Sequence, residues 1–382
     1  MRISYWSPYF DKIATVKSVK NSIKSILLFS KIPTNIDLLN FYGEWSENKI
    51  DEINNKNSKL NYIKFYKSKI IEKLPRNSFM KSRISYFVLF ILGIYPLMKY
   101  LKKNKPNYLI IHLISSLPLI IMLFFKFETK FILRISGLPK LTFFRRFIWK
   151  FSNNKIHKVF VPTQATLENL KKKKIFDENK LFLLRDPVIE IKNIKSDFKK
   201  NSVKMDNYFL SIGRLTLQKN HKLLLRAFKE INKENKKFKL VILGDGELKN
   251  SLIKLARKLG ISENIFFMGN VKNVFEYISK SICVISTSLW EDPGFVMIET
   301  AISKKIIISS DCPNGPKEFI GNNLAGYIFK NNDREDLINK IQIFIKDSPR
   351  NIFLKKLAAI KKSKNYTLFN HFNSLKKLLN DN

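Results

Sequence analysis

Cysteine and histidine are scarce in this sequence, which leaves little material for a disulfide framework or a metal centre. The 382 residues contain two cysteines, Cys283 and Cys312, and four histidines. Both cysteines fall on predicted strands or strand ends, which favours buried free thiols in a reducing compartment over a disulfide. The cysteines and histidines are scattered without the spacing of metal ligands.

Apolar runs long enough to span a bilayer are also missing. The two most apolar segments are 86–101 and 109–125, and proline interrupts both. Because a clean span needs about 20 apolar residues, we expect a buried helix or a strand–helix unit from each segment. A helix lying in the membrane interface is the alternative. Residues 1–6 resemble a strand and lack the pattern of a signal peptide.

Acidic residues are few, and the imbalance indicates an anionic partner. Lysine and arginine number 70 against 31 aspartates and glutamates, which gives a net charge of +39. No nucleic-acid-binding module is visible, so nucleic acid is not the expected partner. An anionic membrane surface is favoured, because each basic group near one contributes about 1 kcal/mol. Basic and aromatic residues interleave over 143–150, which suits a headgroup boundary or, equally, a solvated face over an ordinary core.

The second half of the chain alternates apolar strands with amphipathic helices. The predicted strands are 208–212, 239–243, 265–268, 282–286, 306–309 and 326–329, and the predicted helices are 219–234, 247–259, 273–279, 294–303, 314–321 and 333–345. This rhythm is typical of a doubly wound parallel sheet. We expect one domain over 1–195 and a second over 196–354, with a linker near 190–207. A lysine-rich helical segment at 355–382 is expected to pack back on the first domain.

Two glutamates flank one predicted helix start. Glu291 lies on the loop after a strand, and Glu299 lies one to two turns inside the following helix. The backbone N–H groups of Gly294, Phe295 and Val296 form a natural anion site, and carboxylates accept hydrogen bonds from sugar hydroxyls. A diphosphate beside sugar hydroxyls indicates a nucleotide-sugar. The simpler explanation is that negative charge near a helix start stabilises the helix dipole.

Other strand ends carry cations and glycines. Arg214 and Lys219 follow the strand 208–212, where cations can neutralise the charge that develops on a leaving diphosphate. Solvated basic residues give the same pattern, more readily for Lys219 than for Arg214. Gly244 and Gly246 follow the next strand, and glycine lets a backbone approach a ligand closely, although ordinary turns use the same residues. Since ligands bind outside the carboxyl ends of such strands, all these motifs are expected at one edge.

Taken in order, these motifs resemble the C-terminal domain of glycosyltransferase family 4. The patterns Gly-Arg…Gln-Lys, Leu-Gly-Asp-Gly, Gly-Asn-Val and Glu-(seven residues)-Glu occur over 205–345. The resemblance implies an α/β protein of the GT-B fold, with two Rossmann-like, doubly wound domains facing each other across a cleft. It also implies a retaining transfer from a nucleotide-sugar without a metal ion or other cofactor, and the absence of an Asp-x-Asp motif agrees with this.

The resemblance also implies roles for individual residues. Arg214 and Lys219 would hold the diphosphate and Glu291 would contact the donor sugar, which makes these three the expected catalytic residues. Glu299 would bind the ribose hydroxyls, and Glu318 would cap or orient a neighbouring loop. The other expected donor-binding residues are Gly213, Gly244, Gly246, Asn270, Val271, Gly294, Phe295 and Val296.

The first half matches the family more loosely. The double glycine expected after the first strand is missing, and the segment 132–137, which usually carries a histidine, has none. His112, at the end of another predicted strand, is a candidate site histidine, although a lone histidine on an apolar strand is more often structural. Arg134, at a strand end, is the better candidate for contacting an anionic acceptor or the donor phosphates. A surface ion pair is the alternative for Arg134.

The sequence therefore predicts a hexosyltransferase that uses a nucleotide-sugar donor and a lipid-linked or cell-surface glycan acceptor, such as a capsule or O-antigen precursor. We expect it in the cytoplasm, peripheral to the inner face of the cell membrane. One alternative is a basic protein that binds nucleic acid or membranes without transferase activity. Another is an inert, membrane-bound scaffold that retains the fold.

Overall fold

The computed structural model describes residues 1–9, 14–46, 50, 53, 55–66, 79–191, 203 and 205–380. The chain divides into two compact units, Met1–Pro187 together with Leu368–Asn382, and Val188–Thr367. The chain therefore passes from the first unit to the second between Pro187 and Val188, whereas we expected this boundary between residues 195 and 196. Much of the predicted linker at 190–207 lies outside the described residues.

The first unit is built on a parallel sheet of seven strands. The strands are β1 (Arg2–Trp6), β2 (Thr34–Asn40), β3 (Ser58–Lys64), β4 (Tyr108–Ile111), β5 (Lys130–Arg134), β6 (Lys158–Val161) and β7 (Leu181–Leu183), in the spatial order β3-β2-β1-β4-β5-β6-β7. The helices that follow them are α1 (Ala14–Phe29), α2 (Phe79–Asn104), α3 (Ser116–Phe124), α4 (Phe143–Ser152) and α5 (Gln164–Lys172). Successive side chains point to opposite faces, so Tyr5 joins the core on one face and Trp6 the core on the other.

The two most apolar segments both lie in the first unit. Segment 86–101 lies inside α2, and 109–125 forms β4 and α3, which confirms a helix and a strand–helix unit. Only one side of α2 is buried, because Leu89 and Leu97 are in the core while Phe87 and Tyr95 are 65% and 69% exposed. Within the described part of the chain, no helix is long and apolar enough to cross a membrane.

The second unit is a parallel sheet of six strands. The strands are β8 (Tyr208–Ile212), β9 (Lys239–Leu243), β10 (Ile265–Gly269), β11 (Cys283–Ser286), β12 (Ile306–Ser310) and β13 (Tyr327–Phe329), in the order β10-β9-β8-β11-β12-β13. The helices are α6 (His221–Glu234), α7 (Lys249–Lys258), α8 (Val274–Lys280), α9 (Phe295–Ile302), α10 (Gly315–Ile320), α11 (Arg334–Lys346) and α12 (Pro349–Ser363). Every strand and helix predicted for this half is present, and the doubly wound α/β class is confirmed.

The last two helices belong to different units. α12 packs on α9 in the second unit, whereas α13 (Leu368–Asn380) packs on α1 in the first. Only the second helix therefore returns to the first unit, where the sequence led us to expect the whole of 355–382. Within the second unit, the N–H groups of Val188 and Ile189 both donate to the Tyr366 carbonyl, at 2.8 and 3.0 Å. The chain thus enters and leaves this unit along adjacent segments.

His371 fixes α13 to the first unit. Its Nδ1 donates to the Arg185 carbonyl at 2.7 Å, because a carbonyl can only accept, and its Nε2 accepts from the Ser22 hydroxyl at 2.9 Å. Burial lowers the pKa of His371 to about 4, so the ring is neutral near pH 7. The neutral ring satisfies both neighbours without placing a charge in the core.

Glycine permits a close contact between the loops that follow β8 and β9. Gly213 and Leu215 donate their N–H groups to carbonyls at the end of β9 and just beyond it, both at 2.9 Å. A Cβ on Gly244 would lie 2.0 Å from the Gly213 carbonyl oxygen, and one on Gly246 would lie 2.6 Å from the Leu215 carbonyl oxygen. Gly244 also has a φ of +127°, which other residues rarely adopt. The sequence predicted a close approach to a ligand at these glycines, and in the structure a neighbouring backbone lies against them.

We expect Gly244→Ala to destabilise the protein by more than about 2 kcal/mol, because it combines a strained φ with overlap against a backbone oxygen. Gly260→Ala is the matched control. Gly260 also has a positive φ, +70°, but a Cβ there meets nothing within 4 Å. The control should lose only about 1 kcal/mol. Urea unfolding of both variants measures the difference, and equal losses would contradict the backbone contact as the reason for Gly244.

Candidate functional site

The cation and glutamate motifs meet where the strand order of the second sheet reverses. β8 and β11 are neighbours, so the loops that follow them leave the sheet side by side, and ligands of such sheets bind at this reversal. The Leu289 N–H donates to the Gln218 carbonyl at 2.8 Å, and the Thr287 hydroxyl donates to the Lys219 carbonyl at 2.9 Å. The two predicted loops are thus hydrogen-bonded to each other.

Lys219 and Glu291 form an ion pair between these loops. The Lys219 ammonium donates to Glu291 Oε1, and the Ser288 hydroxyl donates to the same oxygen at 2.7 Å. The two charged side chains are only 18% and 11% exposed. The stem of Lys219 crosses Gly213, where a Cβ would lie 3.0 Å from its Cδ and Cε. Glycine at 213 therefore leaves room for the lysine to reach Glu291.

Arg214 lies in the same loop but is not engaged by the protein. It is exposed, and its guanidinium has no hydrogen-bond or ion-pair partner among the described residues. Lys219, in contrast, is shared with Glu291. A bound anion could therefore accept hydrogen bonds from Arg214 without displacing a partner among the described residues.

The helix α9 begins four residues after Glu291. Gly294 precedes its first residue with a φ of +89°, and a Cβ there would lie 3.7 Å from Glu291 Cβ. Phe295 and Val296 start the first turn, where backbone N–H groups lack acceptors within a helix. Glu299 lies one turn further on and is 6% exposed. The structure thus brings both glutamates, Gly294 and the first turn to one helix start.

Asn270 and Val271 lie at the same edge but further away. They follow β10, and β9 and β8 separate that strand from β11, a distance of about 14 Å at the usual strand spacing. Asn270 is exposed and Val271 half-buried. The Gly244 N–H donates to the Gly269 carbonyl at 2.7 Å, which ties the glycine loop to the end of β10. A ligand that spans this edge would cross the glycine loop.

A third loop, the one that precedes Glu318, supports the site, and the sequence did not indicate its contact with the Glu291 loop. Glu291 and Asn314 form an isolated parallel bridge. A Cβ on Gly315 would lie 1.8 Å from the Pro293 carbonyl oxygen, so the loop after β12 packs directly on the Glu291 loop. Ser288 was also missed, since only its contact with Glu291 distinguishes it from other serines. Glu318 lies in the first turn of α10.

Two titratable groups close to the ion pair are held neutral. Both cysteines are buried free thiols, and burial raises the pKa of Cys312 to about 12. Burial and, to a smaller extent, the Lys219 charge lower the pKa of His221 to about 4. Near pH 7 the Cys312 thiol and the His221 ring are therefore uncharged. No group of three or more His, Cys, Asp or Glu side chains among the described residues could hold a metal ion.

The two candidates from the first half lie together in the first unit. His112 follows β4, is 8% exposed and stacks on Tyr5 with a centroid distance of 6.0 Å. Burial, with Arg134 and His371 nearby, holds its pKa well below the usual value. Arg134 ends β5 and pairs with Asp186 at 2.6 Å. This ion pair is buried, so the surface pair considered as an alternative for Arg134 is wrong.

Comparison with known proteins gives a family match for the second unit. Residues 192–364 match the model of glycosyl transferases group 1. An uncharacterized glycosyltransferase of Methanocaldococcus jannaschii is 32% identical over 252 residues, which cover 59% of this chain and 61% of the relative. A Campylobacter jejuni N-acetylgalactosamine-N,N'-diacetylbacillosaminyl-diphospho-undecaprenol 4-alpha-N-acetylgalactosaminyltransferase is 28% identical over 159 residues, 42% of this chain and 43% of the relative. The chain thus spans about half the length of these curated relatives.

Solved structures share the fold of the whole chain. The crystal structure of a glycosyltransferase from Rickettsia africae has a TM-score of 0.73 and 16% identity, and the match covers 99% of this chain and 97% of that one. At this identity the likeness shows the fold alone. The chain therefore has the GT-B fold of two Rossmann-like domains, and residues 192–364 match the glycosyl transferases group 1 family.

Proposed function

We propose that this protein is a retaining, metal-independent glycosyltransferase of family 4. It would move a hexose from a nucleotide-sugar donor to a lipid-linked or cell-surface glycan, such as a capsule or O-antigen precursor. One observation carries the proposal: the Lys219–Glu291 pair, with Arg214 in the same loop, lies where sheets of this kind bind ligands. Two cations that can bind a diphosphate therefore lie next to a carboxylate that can accept hydrogen bonds from sugar hydroxyls.

In this proposal, Lys219 and Glu291 separate when the donor binds, and each then contacts a different part of the ligand. The diphosphate accepts hydrogen bonds from Arg214 and Lys219, and a sugar hydroxyl donates to Glu291. As the bond between the anomeric carbon and the phosphate oxygen breaks, the two cations stabilise the charge that grows on the phosphate. They supply the neutralisation that a metal ion would otherwise give, which is why we propose that no metal is required.

The acceptor hydroxyl attacks the anomeric carbon from the face that the phosphate leaves. A bond forms between the acceptor oxygen and that carbon, the bond to the phosphate breaks, and the acceptor proton passes to the leaving phosphate. Attack from this face retains the anomeric configuration. The remaining donor contacts are assigned to the helix start: first-turn amides of Phe295 and Val296 to the phosphate or sugar, and Glu299 to the ribose hydroxyls.

The acceptor class is supported by a relative and by the surface of the first unit. The Campylobacter relative is named for a diphospho-undecaprenol-linked acceptor. We propose that this chain also uses a lipid-linked acceptor. On α4, a row of phenylalanines is exposed: Phe143 (89%), Phe144 (63%), Phe147 (51%) and Phe151 (58%). We call this row the aromatic face of α4. Because these side chains are exposed and not packed in the core, the aromatic face of α4 supports peripheral binding to the inner face of the cell membrane, with the enzyme in the cytoplasm.

We expect Arg214→Gln to lower kcat/KM for donor consumption about 10²–10³-fold, because it removes one cation that stabilises the leaving phosphate. Thermal stability should not change, since Arg214 has no partner among the described residues. Arg226→Gln, at an exposed position on α6, is the matched control and should behave as the unsubstituted protein. A panel of nucleotide-sugars tested for turnover or slow hydrolysis measures the effect. Cleavage of no donor by the folded protein would overturn the enzyme assignment.

We expect Glu299→Gln to weaken nucleotide binding about tenfold or more, because a charged acceptor for the ribose hydroxyls is replaced by a neutral amide. The change preserves side-chain size at a buried position. Thermal stabilisation by UDP, GDP and CDP measures binding, and the nucleotide that stabilises the unsubstituted protein most identifies the base. If Glu299→Gln kept the same stabilisation by that nucleotide, Glu299 would not hold the ribose.

We expect the double variant Phe143→Ser, Phe147→Ser to lose about tenfold or more of its affinity for vesicles rich in phosphatidylglycerol, because two exposed apolar side chains no longer enter the interface. Phe353→Ser is the control, since Phe353 is also 58% exposed but lies on α12 in the second unit. Cosedimentation at low and high salt separates apolar from electrostatic binding. Equal loss in the control, or no binding of the unsubstituted protein, would contradict membrane contact through α4.

A further inference from the structure

The first unit contains a groove whose wall includes buried polar atoms that no described residue bonds. The groove has a volume of about 1100 Å³, and its lining includes His112, Arg134 and Ser136. In all three residues a buried polar atom has no hydrogen-bond partner among the described residues: His112 Nδ1, Arg134 Nη1 and Ser136 Oγ. Leaving such atoms unsatisfied costs about 1–3 kcal/mol each. Three of them at the ends of two neighbouring strands indicate a polar ligand.

The charge of the groove indicates that this ligand is an anion. Its lining includes Arg134, Lys140 and Arg145, and none of the described lining residues is acidic. Asp186 engages only Nη2 of Arg134. Two helices also begin at the groove, because Ser116 and Phe144 near the starts of α3 and α4 line it. Helix starts favour negative charge, so they add to the three cations.

The remaining wall of the groove is apolar and continues onto the surface. Phe87, Phe90, Phe144, Ile148 and Trp149 line it. Phe87 and Phe144 are also 65% and 63% exposed, so the apolar lining is continuous with the aromatic face of α4. A small water-soluble anion would leave this wall bare. An apolar chain attached to the anion would cover it.

We propose that the groove binds the phosphate or diphosphate head of a lipid, with the first part of its chain along the phenylalanine wall. The polar end is formed by His112, Arg134 and Ser136 with the nearby cations. Arg145 also bonds the Lys140 carbonyl at 2.7 Å and lies over the Trp149 ring, 5.8 Å from its centroid, so it joins the cationic and apolar parts. That this lipid carries the acceptor sugar rests on the proposed function. The ligand class rests on the groove alone.

Direct binding to the full chain tests the proposal, with farnesyl diphosphate as the probe and titration calorimetry as the measurement. Farnesol and inorganic diphosphate each lack one half of the recognised chemistry. Both should bind about tenfold more weakly or worse, which corresponds to about 1.4 kcal/mol. Equal affinity for inorganic diphosphate would reduce the groove to a free-phosphate site and overturn the lipid. Equal affinity for farnesol would overturn the anion site.

Matched pairs on α4 locate the binding. Phe144→Ser and Arg145→Gln change residues that line the groove, whereas Phe143→Ser and Arg146→Gln change their immediate neighbours, which do not. The first two variants should bind farnesyl diphosphate about tenfold more weakly than the unsubstituted protein. The affinity of the second two should stay within about twofold of it. Equal effects in both pairs would indicate general surface association and overturn the groove. Arg134 is left unchanged, because its removal would strand the buried Asp186 charge.

Nucleotide binding separates this proposal from the proposed function. The two groove variants should keep the thermal stabilisation by nucleotide of the unsubstituted protein, since they lie in the first unit. If the probe binds with the expected pattern while no nucleotide-sugar is consumed, the groove stands and the transferase assignment fails. If donors are consumed but the probe does not bind, the transferase assignment stands and the lipid site is overturned. Loss of nucleotide binding in the groove variants would show that the groove holds the donor.

Discussion

The contact between Lys219 and Glu291 is the constraint around which the edge of the second sheet is organised. It joins loops separated by 72 residues in the chain, and each side chain is largely buried. A buried charge that loses its partner is costly, so the loops must keep a geometry in which both ends meet. Glycine at 213 allows the lysine stem to pass, and Ser288 satisfies the same carboxylate oxygen.

The backbone contacts around this pair extend the constraint across the sheet. Gly244 accommodates the Gly213 carbonyl oxygen, and Gly315 accommodates the Pro293 carbonyl oxygen. Four loops are therefore packed backbone against backbone as two pairs, the loops after β8 and β9 and the loops after β11 and β12. Such packing leaves few alternative positions for Glu291, which is useful if Glu291 must exchange a lysine for a sugar hydroxyl without reorganising.

The sequence predicted the second unit well because its signals are local. Apolar strands, amphipathic helices and glycine turns can be recognised from short stretches of sequence. The predicted bounds of each element agree with those in the structure to within two residues. Contacts between residues far apart in the chain could not be predicted from the sequence. The glycines at 244 and 246 indicated a close approach to a ligand, but only the tertiary structure shows that a neighbouring backbone lies against them. The surface ion pair considered for Arg134 is instead a buried pair with Asp186, 52 residues away. The groove beside it depends on loops and helix starts that no single motif marks.

The adjacent entry and exit of the second unit have a consequence for how the chain could be divided or rearranged. Val188 and Ile189 both bond the Tyr366 carbonyl, so the second unit is an uninterrupted segment whose two ends meet. In topological terms it is inserted into the first unit, between β7 and α13. The first unit is completed only when its final helix has emerged, after the whole inserted segment. During synthesis the second unit can therefore fold before the unit that begins the chain, which reverses the usual order of domain folding.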